Sequence, residues 1–129
     1  MGLVRSNRFK NLDLTIPVTC ELGCVVGDVV YMVDSRIVAR VDPLLYAKMP
    51  AAGVMIAVSG VDGVLATGGV IYGIYSGLIP GGVYYAGVNH RPVLLSTLQE
   101  SQRPFCQQLG VAVAEDSLGI LLGVSISRL

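Results

Sequence analysis

The chain has 129 residues, of which 53% are hydrophobic and 14% charged, and nine basic and nine acidic side chains give a formal net charge of zero. That length suits one domain, and a neutral chain has no global field to draw nucleic acid, whose affinity scales with the phosphates neutralised. Against a usual share of roughly 25% charged residues, so few charges leave apolar surface that is expected to be buried between subunits.

Residues 1–10 read as an N-terminal arm in which Arg5, Arg8 and Lys10 precede the first acid, Asp13. Such a segment is either a solvated terminus or an arm that reaches an acidic neighbour. No apolar stretch follows these charges in the manner of a secretory signal. Leu12, Leu14 and Ile16 then alternate with Asp13 and Thr15, the period-2 signature of a strand with one buried face, and Pro17 is expected to end it or to mark an edge. Asp28 to Val33 reads as a strand, Asp34-Ser35 as a tight turn, and Arg36 to Val41 as the return, with Ile37, Ala39 and Val41 on one face and Arg36, Val38 and Arg40 on the other. Asp42-Pro43 opens a different segment, where Leu44 to Met49 could form one helical turn stopped by Pro50. Strands are expected at Gly53–Val58, Val64–Thr67, Val70–Tyr75 and Val83–Ala86, then at Arg91–Leu95, Phe105–Ala114 and Leu118–Ile126. Ser96–Pro104 reads as a loop. In Ile79-Pro-Gly-Gly82 the proline presets φ and the following glycine supplies the positive φ of a type II turn.

Gly63 to Asn89 contains no charged residue. Its length would allow a membrane-spanning helix, but its many glycines, Pro80 and its Val, Ile and Tyr content favour strands. Short strands with regular turn signals indicate an all-β chain, a small sandwich or barrel. An internal echo points the same way. Gly27-Asp-Val-Val-Tyr31 resembles Gly81-Gly-Val-Tyr-Tyr85, Gly53-Val-Met-Ile-Ala57 resembles Gly110-Val-Ala-Val-Ala114, and Gly69-Val70 matches Gly123-Val124, at offsets of 54, 57 and 54 residues. The expectation is a single β domain over 11–129 built of two related half-units, 25–75 and 80–126, joined at Ser76–Pro80.

Catalytic and metal signatures are missing. His90 is the one histidine and reads as a solvated turn residue rather than a general base. Cys20, Cys24 and Cys106 lack the paired spacing of a zinc site and read as small apolar side chains in a reducing compartment. Glu115-Asp116 reads as a hairpin turn, and no phosphate-binding glycine loop occurs. No enzyme activity, cofactor or metal is expected. Tyr72, Tyr75, Tyr84 and Tyr85 lack the interleaved cations of a nucleic-acid platform. Val70, Tyr72, Tyr75 and Tyr84 are therefore assigned to packing, at an oligomer interface.

Gly77-Leu-Ile-Pro-Gly-Gly-Val-Tyr-Tyr85 resembles a turn of small β-domains in tailed-phage virion proteins, as do the later Pro104, Gln107-Gln-Leu-Gly-Val-Ala112 and the hairpin over Leu118–Val124. The resemblance covers residues 69–124 and implies a bacteriophage head decoration, or cement, protein. Such a protein is a homotrimer without enzymatic activity that binds the major capsid protein on the outer capsid surface, after synthesis in the host cytoplasm. Arg5, Arg8 and Lys10 would then contact the capsid, with neither nucleic acid nor membrane as partner. A tail-fibre, spike or baseplate β-module that binds a receptor or tail protein is the alternative, and a small β-barrel enzyme or carbohydrate-binding module a third.

Overall fold

A computed structural model of the chain describes residues 14–21, 23–42, 48–87, 89–94, 105–123 and 126–127. The basic arm, the expected helical turn after Pro43 and the loop over 96–104 fall outside these residues, apart from Lys48 and Met49 at the end of that turn. Among the described residues the structure is all-β, without an α-helix.

Five strands close a barrel: β1 (Thr15–Cys20), β2 (Val29–Asp34), β3 (Ile37–Arg40), β4 (Ala51–Ser59) and β5 (Asp62–Ala66), in the order β1-β3-β2-β4-β5. β5 pairs back on β1 in antiparallel fashion, and the parallel β1–β3 contact, Thr19↔Ile37 and Cys20↔Val38, completes the ring. β1 runs straight through Pro17, so of the two roles expected for the proline it takes the edge position and does not end the strand. β3 joins β1 only from Thr19 onward, so Pro17 sits where the strand has one neighbour and a missing donor is tolerated. The rest of the chain supplies β6 (Gly69–Tyr72), β7 (Val83–Ala86), β8 (Pro92–Leu94), β9 (Phe105–Cys106), β10 (Gln108–Ala114), β11 (Ser117–Ile120) and β12 (Ile126–Ser127). β6-β11-β10-β7-β8 form an open sheet, and β9 pairs with β12. The single strand expected over Phe105–Ala114 is therefore broken at Gln107.

The open sheet is a second copy of the barrel. Val30↔Arg40 of β2–β3 recurs as Tyr84↔Leu94 of β7–β8, 54 residues on, and Ile16↔Leu65 of β1–β5 recurs as Ile71↔Leu118 of β6–β11, 55 and 53 residues on. The β2–β4 ladder, with its skip between Gly53 and Ala51, recurs in β7–β10 between Gly110 and Gln108. Turn bonds repeat as well. Gly27 N–H donates to Met55 O at 2.7 Å, and Gly81 N–H to Ala112 O at 2.7 Å. Among the described residues the two non-glycine residues with positive φ, Arg36 and His90, occupy equivalent places. The units run from β1 to β5 and from β6 to β11, so the crossing lies at Thr67-Gly68. The expected junction, Ser76–Pro80, is instead a turn inside the second unit. The echo begins at turn glycines, and the first strands, Thr-Ile-Pro-Val against Val-Ile-Tyr-Gly, share only the inward Ile16 and Ile71. That turn has the expected geometry: Gly81 has φ +82° and Gly82 N–H donates to Ile79 O at 2.8 Å.

The β10–β11 ladder repeats β4–β5 as well. Both hairpins carry a bulge at equivalent positions, Ile56 and Val113, and Met55↔Leu65 recurs as Ala112↔Leu118. Paired residues share a face. Leu65 fills the barrel, with Val18, Val30, Val38 and Met55, and on β11 the inward residues are Leu118 and Ile120. The second core lies between the units. Val29, Val54 and Ala66 point out of the barrel and meet Ile71, Tyr84, Leu109, Ala112, Leu118 and Ile120 of the open sheet. Full burial of each large member is worth about 1.5–3 kcal/mol. The molecule is thus a barrel with its own half-opened copy laid against one side.

Cys20 and Cys24, expected as separate thiols, are joined as a disulfide with Cα atoms 6.1 Å apart. β1 ends and the following loop turns back at that distance, within bridging range. The spacing of four residues closes so small a loop that the entropic gain is only about 2 kcal/mol.

Two predictions follow from this architecture. At the equivalent positions Gly53 and Gly110, a Cβ would overlap the backbone carbonyl oxygens of Ala66 and Gly119. Gly53→Ala and Gly110→Ala should each cost about 2–3 kcal/mol in urea unfolding, whereas Gly119→Ala, with 3.3 Å to Val111 O, should cost less. Thiol titration of the denatured chain should give one reactive thiol without reductant and three after reduction; three without reductant would remove the bridge.

Candidate interaction face and the clamp beneath it

The outer face of the open sheet is built by alternation. Ile71, Tyr84, Ala86, Ala112 and Leu118 point toward the barrel, so their neighbours point away. Val83↔Val111↔Gly119↔Val70 form one row across four strands, flanked by Tyr72 and Val113 and, across β7–β8, by Tyr85↔Val93. Tyr72 is 71% exposed, Val113 57%, Val70 41% and Val83 37%. These residues form a continuous uncharged face of Val and Tyr, larger in kind than the scattered apolar residues normal on a monomer. The row Val29↔Val54↔Ala66 on the outer wall of the barrel is its equivalent in the first unit, and there the open sheet covers it.

The four residues assigned to an interface divide evenly. Val70 and Tyr72 lie on this face. Tyr84 is buried in the core, where its hydroxyl accepts the Ile79 N–H at 2.9 Å and pins the Ile79–Gly82 turn. Tyr75 reaches across the units, and its hydroxyl donates to Gly27 O at 2.6 Å. Both are taken up inside the chain. Arg5, Arg8 and Lys10 lie outside the described residues.

Tyr75 belongs to a polar clamp that the sequence does not announce. Asp28, nearly buried, receives Arg40 Nε at 3.0 Å from its own unit and faces Arg91 Nε at 3.5 Å from the other. Its Oδ2 also accepts the Val25 N–H at 2.9 Å, and Arg40 donates onward to the Gly23 carbonyl. His90, expected as a solvated turn residue, is likewise enlisted: Nδ1 bonds Val41 O at 2.8 Å, and its carbonyl accepts the Val29 N–H at 2.7 Å. Gln107, 2% exposed, lays its amide against Ala51, accepting from Ala51 N at 2.7 Å and donating to Ala51 O at 3.2 Å. Its Nε2 also donates to Gly123 O at 3.1 Å. The one available signal was substitution within the echo. Asp28 stands where the second copy has Gly82, and Gln107 where the first has Pro50.

Burial raises the Tyr75 phenol well above its ordinary value; the Arg91 charge pulls the other way and Asp28 reinforces the rise. Beside the clamp, a cleft of about 710 Å³ is lined by Thr19, Glu21, Tyr31, Arg40, Lys48 and His90. Its charges are of both signs. Among the described residues no group of three or more His, Cys, Asp or Glu could hold a metal, and no helix is long and apolar enough to cross a membrane.

Tyr75→Phe should cost about 1 kcal/mol at pH 8, the net worth of one hydrogen bond. The unfolded phenol ionises near pH 10, while the folded one holds its proton. Above that pH the native state binds more protons, so wild-type stability falls as pH rises. Urea unfolding at pH 8 and pH 11 should show the Phe variant losing less of its stability over that interval. No protein-family model, curated protein or solved structure matches the chain.

Proposed function

We propose that this chain is a non-enzymatic structural protein of a bacteriophage virion, a homotrimeric decoration or cement protein seated on the outer surface of the capsid. The observation that carries the reading is the uncharged face Val70, Tyr72, Val83, Val111 and Val113, which gives a binding protein its contact area and offers no chemistry. Sister subunits take up this face, and the arm with Arg5, Arg8 and Lys10 pairs with carboxylates of the major capsid protein. Repeated over a shell, individually weak contacts add by multivalency. The Cys20–Cys24 bridge favours an outer location, since disulfides persist on virion surfaces and are rare in a reducing cytosol.

Deleting residues 1–10 should leave the oligomer intact by light scattering and lower the occupancy of shells at limiting protein. Cryo-electron microscopy of decorated particles reads this directly. Density at many equivalent shell positions supports cement; density confined to the tail points to the fibre or baseplate alternative. Unchanged occupancy of the truncated chain removes the arm from the mechanism.

A further inference from the structure

The barrel has no edges, and the β8 side of the open sheet is turned onto the barrel through His90 and Arg91. β6 is the other end of that sheet. Natural edge strands are blunted by charge, proline, bulges or a covering segment. β6 carries no charge, no proline and no bulge. A cleft of about 430 Å³ runs beside it, lined by Leu14, Ile56, Ala66, Ile71, Tyr72 and Ile74.

Among the described residues nothing pairs with the outer edge of β6, and the direction of its backbone groups follows from alternation. Gly73 N–H donates to Asp116 O, toward the β11 side. Ile71 and Gly69 therefore point their N–H and C=O groups the same way, and Val70 and Tyr72 point theirs at the open edge. The sequence of this edge is self-complementary: Gly69-Val-Ile-Tyr-Gly73 has glycines at both ends and Ile71 at the centre.

We infer that β6 pairs antiparallel with β6 of a second copy of this chain, about a twofold axis through Ile71. In that register Val70 faces Tyr72 of the other copy and Tyr72 faces its Val70. Each is a hydrogen-bonded pair, so four backbone bonds form. Ile71 meets its own counterpart between them, on the cleft side. Paired residues share a face, so the register joins Val and Tyr of both copies on the outer face and keeps Ile71 on the buried one. A shift by one residue would set Val70 against Ile71 and break both faces. β-branched–aromatic cross-strand pairs are among the favourable ones. The contact is isologous and closes at two copies. It leaves the outer face open, so it goes beyond the shell-binding reading and does not depend on it.

Val70→Pro removes an outward N–H and leaves the β6–β11 ladder its donors. Sedimentation equilibrium should show an even-numbered assembly for the wild-type chain, six copies where the outer face also joins trimers, and at least a tenfold weaker twofold step for Val70→Pro, with circular dichroism unchanged. In the wild type, amide exchange at Val70 and Tyr72 should slow at least tenfold between low and high micromolar protein, whatever the variant does. A monomer at high micromolar concentration overturns the proposal. So does an odd-numbered assembly with these two amides unprotected, which would still be compatible with the shell-binding reading. Occupancy of shells by Val70→Pro, measured separately, tells the two readings apart.

Discussion

The backbone N–H of Val29 donates to the carbonyl of His90 at 2.7 Å, and the open architecture of the second unit turns on that bond. The equivalent carbonyl in the first unit, that of Arg36, accepts from Thr19 N–H at 2.8 Å and thereby shuts the barrel through β1 and β3. A carbonyl committed to another element cannot play the same part in closure. With His90 bound to the barrel, β8 is held away from β6, and the second copy stays open. Arg91 on Asp28, Tyr75 on Gly27 and Gln107 on Ala51 reinforce the same docking. The clamp is polar, yet each group in it has a partner, which is what makes burial of such groups tolerable.

An opened copy needs something to cover its concave side, and the outer wall of the barrel supplies it. Val29, Val54 and Ala66 would be solvent-facing residues of an isolated barrel, yet they are at most 1% exposed. The second sheet meets that wall with Ile71, Tyr84, Ala112, Leu118 and Ile120. Its own outer row, Val83↔Val111↔Gly119, is the counterpart of the wall that Val29, Val54 and Ala66 form on the barrel. Internal packing and the candidate binding surface therefore have one origin, the same face of the repeated unit, covered in the first copy and exposed in the second.

Much of the fold was legible. Period-2 alternation and turn residues located most strands, and the Ile79–Gly82 turn follows from proline and glycine chemistry alone. The echo located the repeat because turn glycines are constrained by backbone geometry and keep their spacing. It misplaced the unit boundaries because first strands are constrained only by which face is buried, and an alternation of apolar residues carries no fixed glycine to align. Of the four residues assigned to an interface, Val70 and Tyr72 are exposed, whereas Tyr75 and Tyr84 spend their hydroxyls on Gly27 and Ile79. Sequence shows an aromatic residue but not the backbone group its polar tip will find. Asp28, Arg91 and Gln107 were illegible for the same reason, being defined by contacts between units. The Cys20–Cys24 bridge depends on a loop geometry that spacing alone does not specify.

Every ladder of the barrel is made among residues 15–66, before any residue of the open sheet is needed. During synthesis the first half can close its strand ladders while the wall bearing Val29, Val54 and Ala66 is still wet, leaving groups such as the Val29 and Ala51 N–H for the second half to satisfy. The second half is then laid onto a finished template of its own topology. An order of growth is thus written into the repeat, with the earlier copy serving as scaffold and the later one as its cover.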